Sequence, residues 1–128
     1  MNRYTVNQVF GVNHPNTILS LNNLAAAYAK LGDYNKAMEL YEQTYNKACD
    51  IFGEDHPQTF IAENNMATVY SNAGDYKKAS HFYARLYHKQ KEVLGKKHPD
   101  TLQSRINLAD SRKKYLKSKY PNYRRKNL

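Results

Sequence analysis

The chain has 128 residues, 41% of them hydrophobic, enough for one compact domain with a modest core, which excludes wholesale disorder. Its net charge of +9 sits at one end: residues 1–95 hold nine Lys/Arg and nine Asp/Glu, whereas in residues 96–128 eleven Lys/Arg face only Asp100 and Asp110. No apolar run approaches the roughly 18 residues needed to cross a bilayer, and the single cysteine, Cys49, cannot form an internal disulfide, so a cytoplasmic location is expected.

The chain repeats itself every 42 residues. Gly11, Gly53 and Gly95 keep that period, as do His14-Pro15, His56-Pro57 and His98-Pro99. Thr17, Thr59 and Thr101 follow, then Asn23, Asn65 and Asn107, then Ala25, Ala67 and Ala109. So many three-fold coincidences identify a tandem array. Residues 1–10 read as the end of a preceding repeat helix or an N-terminal cap, residues 11–52 as repeat one and 53–94 as repeat two. Residues 95–119 make a partial third repeat and 120–128 a basic tail.

In chain order, a short helical stub precedes five predicted helices. The first spans 15–31, where Ile18, Leu21, Leu24, Ala25, Tyr28 and Leu31 recur at three- and four-residue spacings on one apolar face. Gly32 ends it, since glycine enters the left-handed conformation without penalty, and Asp33 is placed to cap the next helix. That second helix, 34–52, carries Tyr34, Ala37, Tyr41, Tyr45, Ala48 and Phe52 on one face. The scheme repeats over 57–73 and 76–94, with Met66, Ala67, Tyr70, Ala79, Tyr83, Tyr87 and Leu94. The last helix, 99–118, loses the pattern after "INLAD": Arg112 and Leu116 stand where Tyr and Gly are expected. The fold class is therefore all-α, helix-turn-helix repeats stacked as an α-solenoid of about two and a half units.

The Gly, His-Pro and Thr trio could suggest a metal site or a catalytic base. Its recurrence argues instead for punctuation: the glycine stops one helix, the proline opens the next, and the histidine lies at or near the N-cap. Histidines on successive stacked units, with helices roughly 8–10 Å apart, cannot share one ion at bond lengths of about 2 Å. No metal, cofactor or catalytic residue is expected, because the glycines are isolated, Cys49 has no counterpart in the other repeats, and His81 and His88 lack a third ligand.

With Gly-Asp-Tyr-x-x-Ala at Gly32–Ala37 and Gly74–Ala79, the units resemble tetratricopeptide repeats. The 42-residue form, with "GVNHPNT", "GEDHPQT", "GKKHPDT" and Asn22-Asn23-Leu24-Ala25, looks like the repeats of kinesin light chains, over about residues 8–110. The resemblance implies a non-enzymatic scaffold that binds an extended peptide on a concave face lined by the first helix of each unit. Asn22 and Asn64 match the family asparagine that bonds the ligand backbone, and Ala26, Lys30, Thr68, Ser71 and Asn72 complete the groove. Light-chain cargo motifs pair a Trp with acidic residues, so Lys113 and Lys114 are expected to meet an acidic partner. Asn23, Asn65 and Asn107 read as structural, bonding backbone between neighbouring helices.

Two further expectations concern the ends. A stub without its partner helix should promote self-association through Val6, Val9 and Phe10. The tail "SRKKYLKSKYPNYRRKNL" mixes eight bases with Tyr115, Tyr120 and Tyr123, so binding of nucleic acid or an anionic surface is the alternative function. A purely structural solenoid fragment is the third reading.

Overall fold

A computed structural model describes residues 15–122 of the protein. Five helices fill that span: α1 (Pro15–Lys30), α2 (Tyr34–Phe52), α3 (Pro57–Asn72), α4 (Tyr76–Leu94) and α5 (Pro99–Lys119), with no strand among the described residues. The expected stub, His14 and Gly11, and the residues Val6, Val9 and Phe10 lie outside it, as does Tyr123.

Each helix packs on its neighbour in the chain, α1 on α2 through to α4 on α5. One core cluster joins α1, α2 and α3 through Leu21, Ala25, Ala37, Leu40, Tyr41, Met66 and Val69. A second joins α3, α4 and α5 through Ala67, Ala79, Tyr83 and Leu108. The alanines allow close approach: Ala25, Ala37, Ala67 and Ala79 are wholly buried where helices cross. Two residues assigned to the first apolar face depart from it. Leu31 is 82% exposed because it falls in the turn after α1, and Leu24 is 46% exposed where its repeat partners Met66 and Leu108 are buried against α2 and α4.

The turns are built from the repeated residues. Gly32 and Gly74 (φ 83° and 85°) sit in the turns after α1 and α3, in the left-handed region that a side chain strains. Asp33 and Asp75 then cap α2 and α4, each carboxylate accepting from the backbone N–H three residues on at 3.2 Å. At the other turn type, His56 and His98 are themselves the N-caps of α3 and α5. Their Nδ1 atoms accept from the N–H groups of Gln58 and Asp100, both at 3.1 Å. The Thr59 hydroxyl donates to the Gly53 carbonyl at 2.6 Å, tying the start of α3 to the end of α2.

Candidate functional site

The first helices of the units, α1, α3 and α5, carry the candidate binding positions. On α1, Asn22 and Ala26 are half-buried and Lys30 is exposed, at four-residue steps on one face. On α3, Asn64, Thr68 and Ser71 are half-buried and Asn72 is exposed. The Asn22 side-chain oxygen is shielded from solvent yet has no hydrogen-bond partner among the described residues. An amide oxygen so placed costs free energy until something donates to it, about 1–3 kcal/mol. Thr68 differs from the asparagines: its hydroxyl donates to the Asn64 carbonyl at 2.9 Å and shares a hydrogen bond of 2.9 Å with the Tyr83 hydroxyl. It fastens α3 to α4.

Beside Asn64 a cleft of about 160 Å³ opens between α3 and α5, lined by Phe60, Ile61, Gln103 and Ser104 among others. It lies below the roughly 300–1,000 Å³ of small-molecule sites, so it suits one side chain of a longer ligand. A larger cleft of about 530 Å³ lies between α2, the end of α3 and the start of α4, and contains neither asparagine.

On α5 the position matching Asn22 and Asn64 is Ile106, 59% exposed. Lys113 and Lys114 are both exposed, but they are not equivalent. Lys114 binds Asp110 at 3.0 Å and lies 5.9 Å from the Tyr76 ring centroid, and its pKa is raised chiefly by the hydrogen bond with Asp110. Lys113 has no partner among the described residues and is the freer cation.

The second asparagine series lies on the same three helices. Asn23 is exposed, and the one bond this series makes is within α5, where the Gln103 amide donates to the Asn107 side-chain oxygen at 3.0 Å. Among the described residues none of Asn23, Asn65 and Asn107 bonds the backbone of a neighbouring helix, and Asn65 and Asn107 are half-buried.

Sequence reading missed a buried ion pair. Glu63 of α3 is 3% exposed and accepts from Lys89 of α4 at 3.3 Å. Burial pushes its carboxyl above the ordinary value of 4.5, against the downward pull of the Lys89 charge. Tyr45 of α2 joins the same region; burial, then its hydrogen bond with Cys49 and the nearby Glu63 charge, push its hydroxyl up to about 12. Cys49 is half-buried and engaged with Tyr45. The signal was available: Glu63 occupies the repeat position of Leu21, a core residue.

Two models of the tetratricopeptide-repeat family match the chain, over residues 17–58 and 58–115. No curated protein matches the sequence. Among solved structures, a kinesin-light-chain-type protein of Podosopora anserina with nearly identical TPR-like repeats is 25% identical, with a TM-score of 0.72, covering 86% of this chain and 56% of that one. A single-substitution form of that protein gives 25% identity and a TM-score of 0.73, covering 86% and 55%. The chain thus spans little more than half the length of those structures. With helical pairs capped at every repeat and family matches running from Thr17 to Tyr115, this chain belongs to the tetratricopeptide-repeat family and resembles the kinesin light chains within it.

Proposed function

We propose that the chain is a non-enzymatic interaction module that holds an extended peptide across α1, α3 and α5, in the manner of cargo or adaptor recognition by a kinesin light chain. The observation that carries this reading is the unsatisfied, shielded oxygen of Asn22; Asn64, at the same repeat position, lines a side-chain-sized cleft. A peptide N–H donating to that oxygen would satisfy it, and the free charge of Lys113 suits an acidic residue further along the strand. The same reading places the module in the cytoplasm, where Cys49 stays a thiol.

The test is a titration of an acidic, Trp-containing peptide against the chain and its variants. Losing one backbone hydrogen bond in a partly dry groove costs about 1–3 kcal/mol, so Asn22→Ala and Asn64→Ala should each weaken binding roughly five- to a hundred-fold. Charge reversal at Lys113 should matter less and fade with salt. Binding to an RNA oligomer, with steep salt dependence, loss on deleting residues 117–128 and indifference to the asparagines, would favour the anionic-surface alternative. Binding to neither would leave a structural solenoid.

A further inference from the structure

Helix α5 carries a face that its two repeat counterparts cover. Glu63 and Ala67 of α3 are buried, and Thr68 and Tyr70 half-buried, beneath α4. The matching residues of α5, Arg105, Ala109, Asp110 and Arg112, are all exposed. The chain immediately after α5 cannot re-enter in repeat register. Leu116, Lys117 and Ser118 occupy the places of Gly74, Asp75 and Tyr76, but instead of turning they stay helical, and α5 continues to Lys119.

Along this open side an exposed or half-exposed stripe runs at four- and three-residue steps: Leu102, Ile106, Ala109, Lys113, Leu116 and Tyr120. That spacing is one face of a helix built to receive another helix. Its flank is uniformly basic, with Arg105, Arg112 and Lys119 seven residues apart. The opposite side of α5, with Thr101, Ser104, Leu108 and Ser111, is buried, Ser104 donating to Gln90 of α4.

The two complete repeats show what a seated second helix supplies. On α3, Lys89 of α4 meets Glu63, and Lys78 lies over the Tyr70 ring at 5.4 Å. On α5 the first of these positions is reversed in sign, to Arg105, and the second becomes Arg112. A helix seated in the same way must therefore present carboxylates where α4 presents lysines. A second copy docking through this face is disfavoured, because Arg105, Arg112, Lys113, Lys117 and Lys119 outnumber Asp110, itself paired to Lys114, and like charges would be brought together.

We infer that the outer face of α5 is a docking site for an acidic amphipathic helix of a partner protein, taking the place that a second helix holds in the complete repeats. This site contains neither Asn22 nor Asn64; it shares Lys113 with the proposed groove and is tested apart from it through Arg105 and Arg112.

The probes are two labelled 19-residue peptides with the sequence of residues 76–94, one unaltered and one carrying Lys78→Glu and Lys89→Glu, titrated by fluorescence anisotropy against the full chain. The charge-altered peptide should bind about tenfold more tightly, from two exposed pairs turned from repulsive to attractive. The Arg105→Glu, Arg112→Glu variant of the chain should reverse that order, with its helicity checked by circular dichroism; Asn22→Ala and Asn64→Ala should leave it unchanged. Equal binding of the two peptides, binding of neither, or an order insensitive to the arginine changes would overturn the proposal. So would an RNA oligomer that binds through Arg105 and Arg112 in their place. Sedimentation showing a dimer abolished by Ile106→Glu would assign the face to a second copy instead, and likewise overturn it.

Discussion

Helices α3 and α5 lie one period of 42 residues apart and open alike, each with a histidine capping the residue after a proline start. They diverge from there. On α3 the Thr59 hydroxyl reaches the preceding glycine carbonyl, whereas the buried Thr101 hydroxyl finds no partner among the described residues. α3 stops at Asn72 before Gly74, while α5, with Leu116 at that place, runs to Lys119, where the backbone N–H of Tyr120 closes on the Leu116 carbonyl. The same register thus produces a covered helix in one unit and an open-faced one in the next. Among the described residues the difference lies in whether a second helix packs on the outer face, and the outward residues differ with it: Glu63 against Arg105 and Tyr70 against Arg112.

The strongest way to break this comparison is to enlarge the alanines. Ala67 is wholly buried between α3 and α4, so Ala67→Leu should cost about 3 kcal/mol of stability through overpacking. Ala109→Leu, at the same repeat position but exposed, should change stability by less than about 0.5 kcal/mol. Chemical denaturation of both variants checks this; equal losses would mean that the face of α5 is already covered.

A smaller effect separates the charges. Lys89→Ala leaves the Glu63 carboxylate buried without its counter-charge. It should cost about 2 kcal/mol near pH 7, below the usual 3–5 for a broken buried pair, since Lys89 keeps 22% of its side chain in solvent. The sign with pH follows from the raised pKa of Glu63. The folded state holds this proton more tightly than the unfolded one, so the group's contribution is most favourable below its ordinary 4.5 and declines as pH rises through the raised value. The penalty of Lys89→Ala should therefore shrink as pH falls towards 4.5, read as the difference between variant and parent in thermal melts. Arg105→Ala should show no such penalty at any pH.

Next is the turn. No atom lies within 4 Å of a Cβ built on Gly74, so Gly74→Ala should cost only the left-handed strain, about 1–2 kcal/mol. The smallest is the cap: His56→Ala removes one acceptor for a helix N–H and should cost about 1 kcal/mol, with no change in metal affinity by calorimetry.

The helices were legible because two periodicities agree, the 3.6-residue apolar pattern and the 42-residue repeat. The expected ends of all five helices fall within one residue of those observed. Glycines, prolines and the capping Asp33, Asp75, His56 and His98 mark most of those ends locally. What escaped depends on which neighbour a face meets. Leu24 reads as core by spacing but is exposed, whereas Met66 at the same repeat position is buried against α2. Glu63 reads as one more surface acid until its repeat position is compared with Leu21. The internal commitments of Thr68 and Lys114, to Tyr83 and Asp110, depend on side-chain reach that spacing does not specify.

The succession of contacts, α1 with α2, α2 with α3 and onward, bears on how the chain is made. From α2 onward each helix finds its main partner in the helix synthesised just before it, so loop-closure entropy stays small at each step. The fold can grow in the direction of translation, each new helix adding to a surface already formed, with α5 the last of the described helices to arrive.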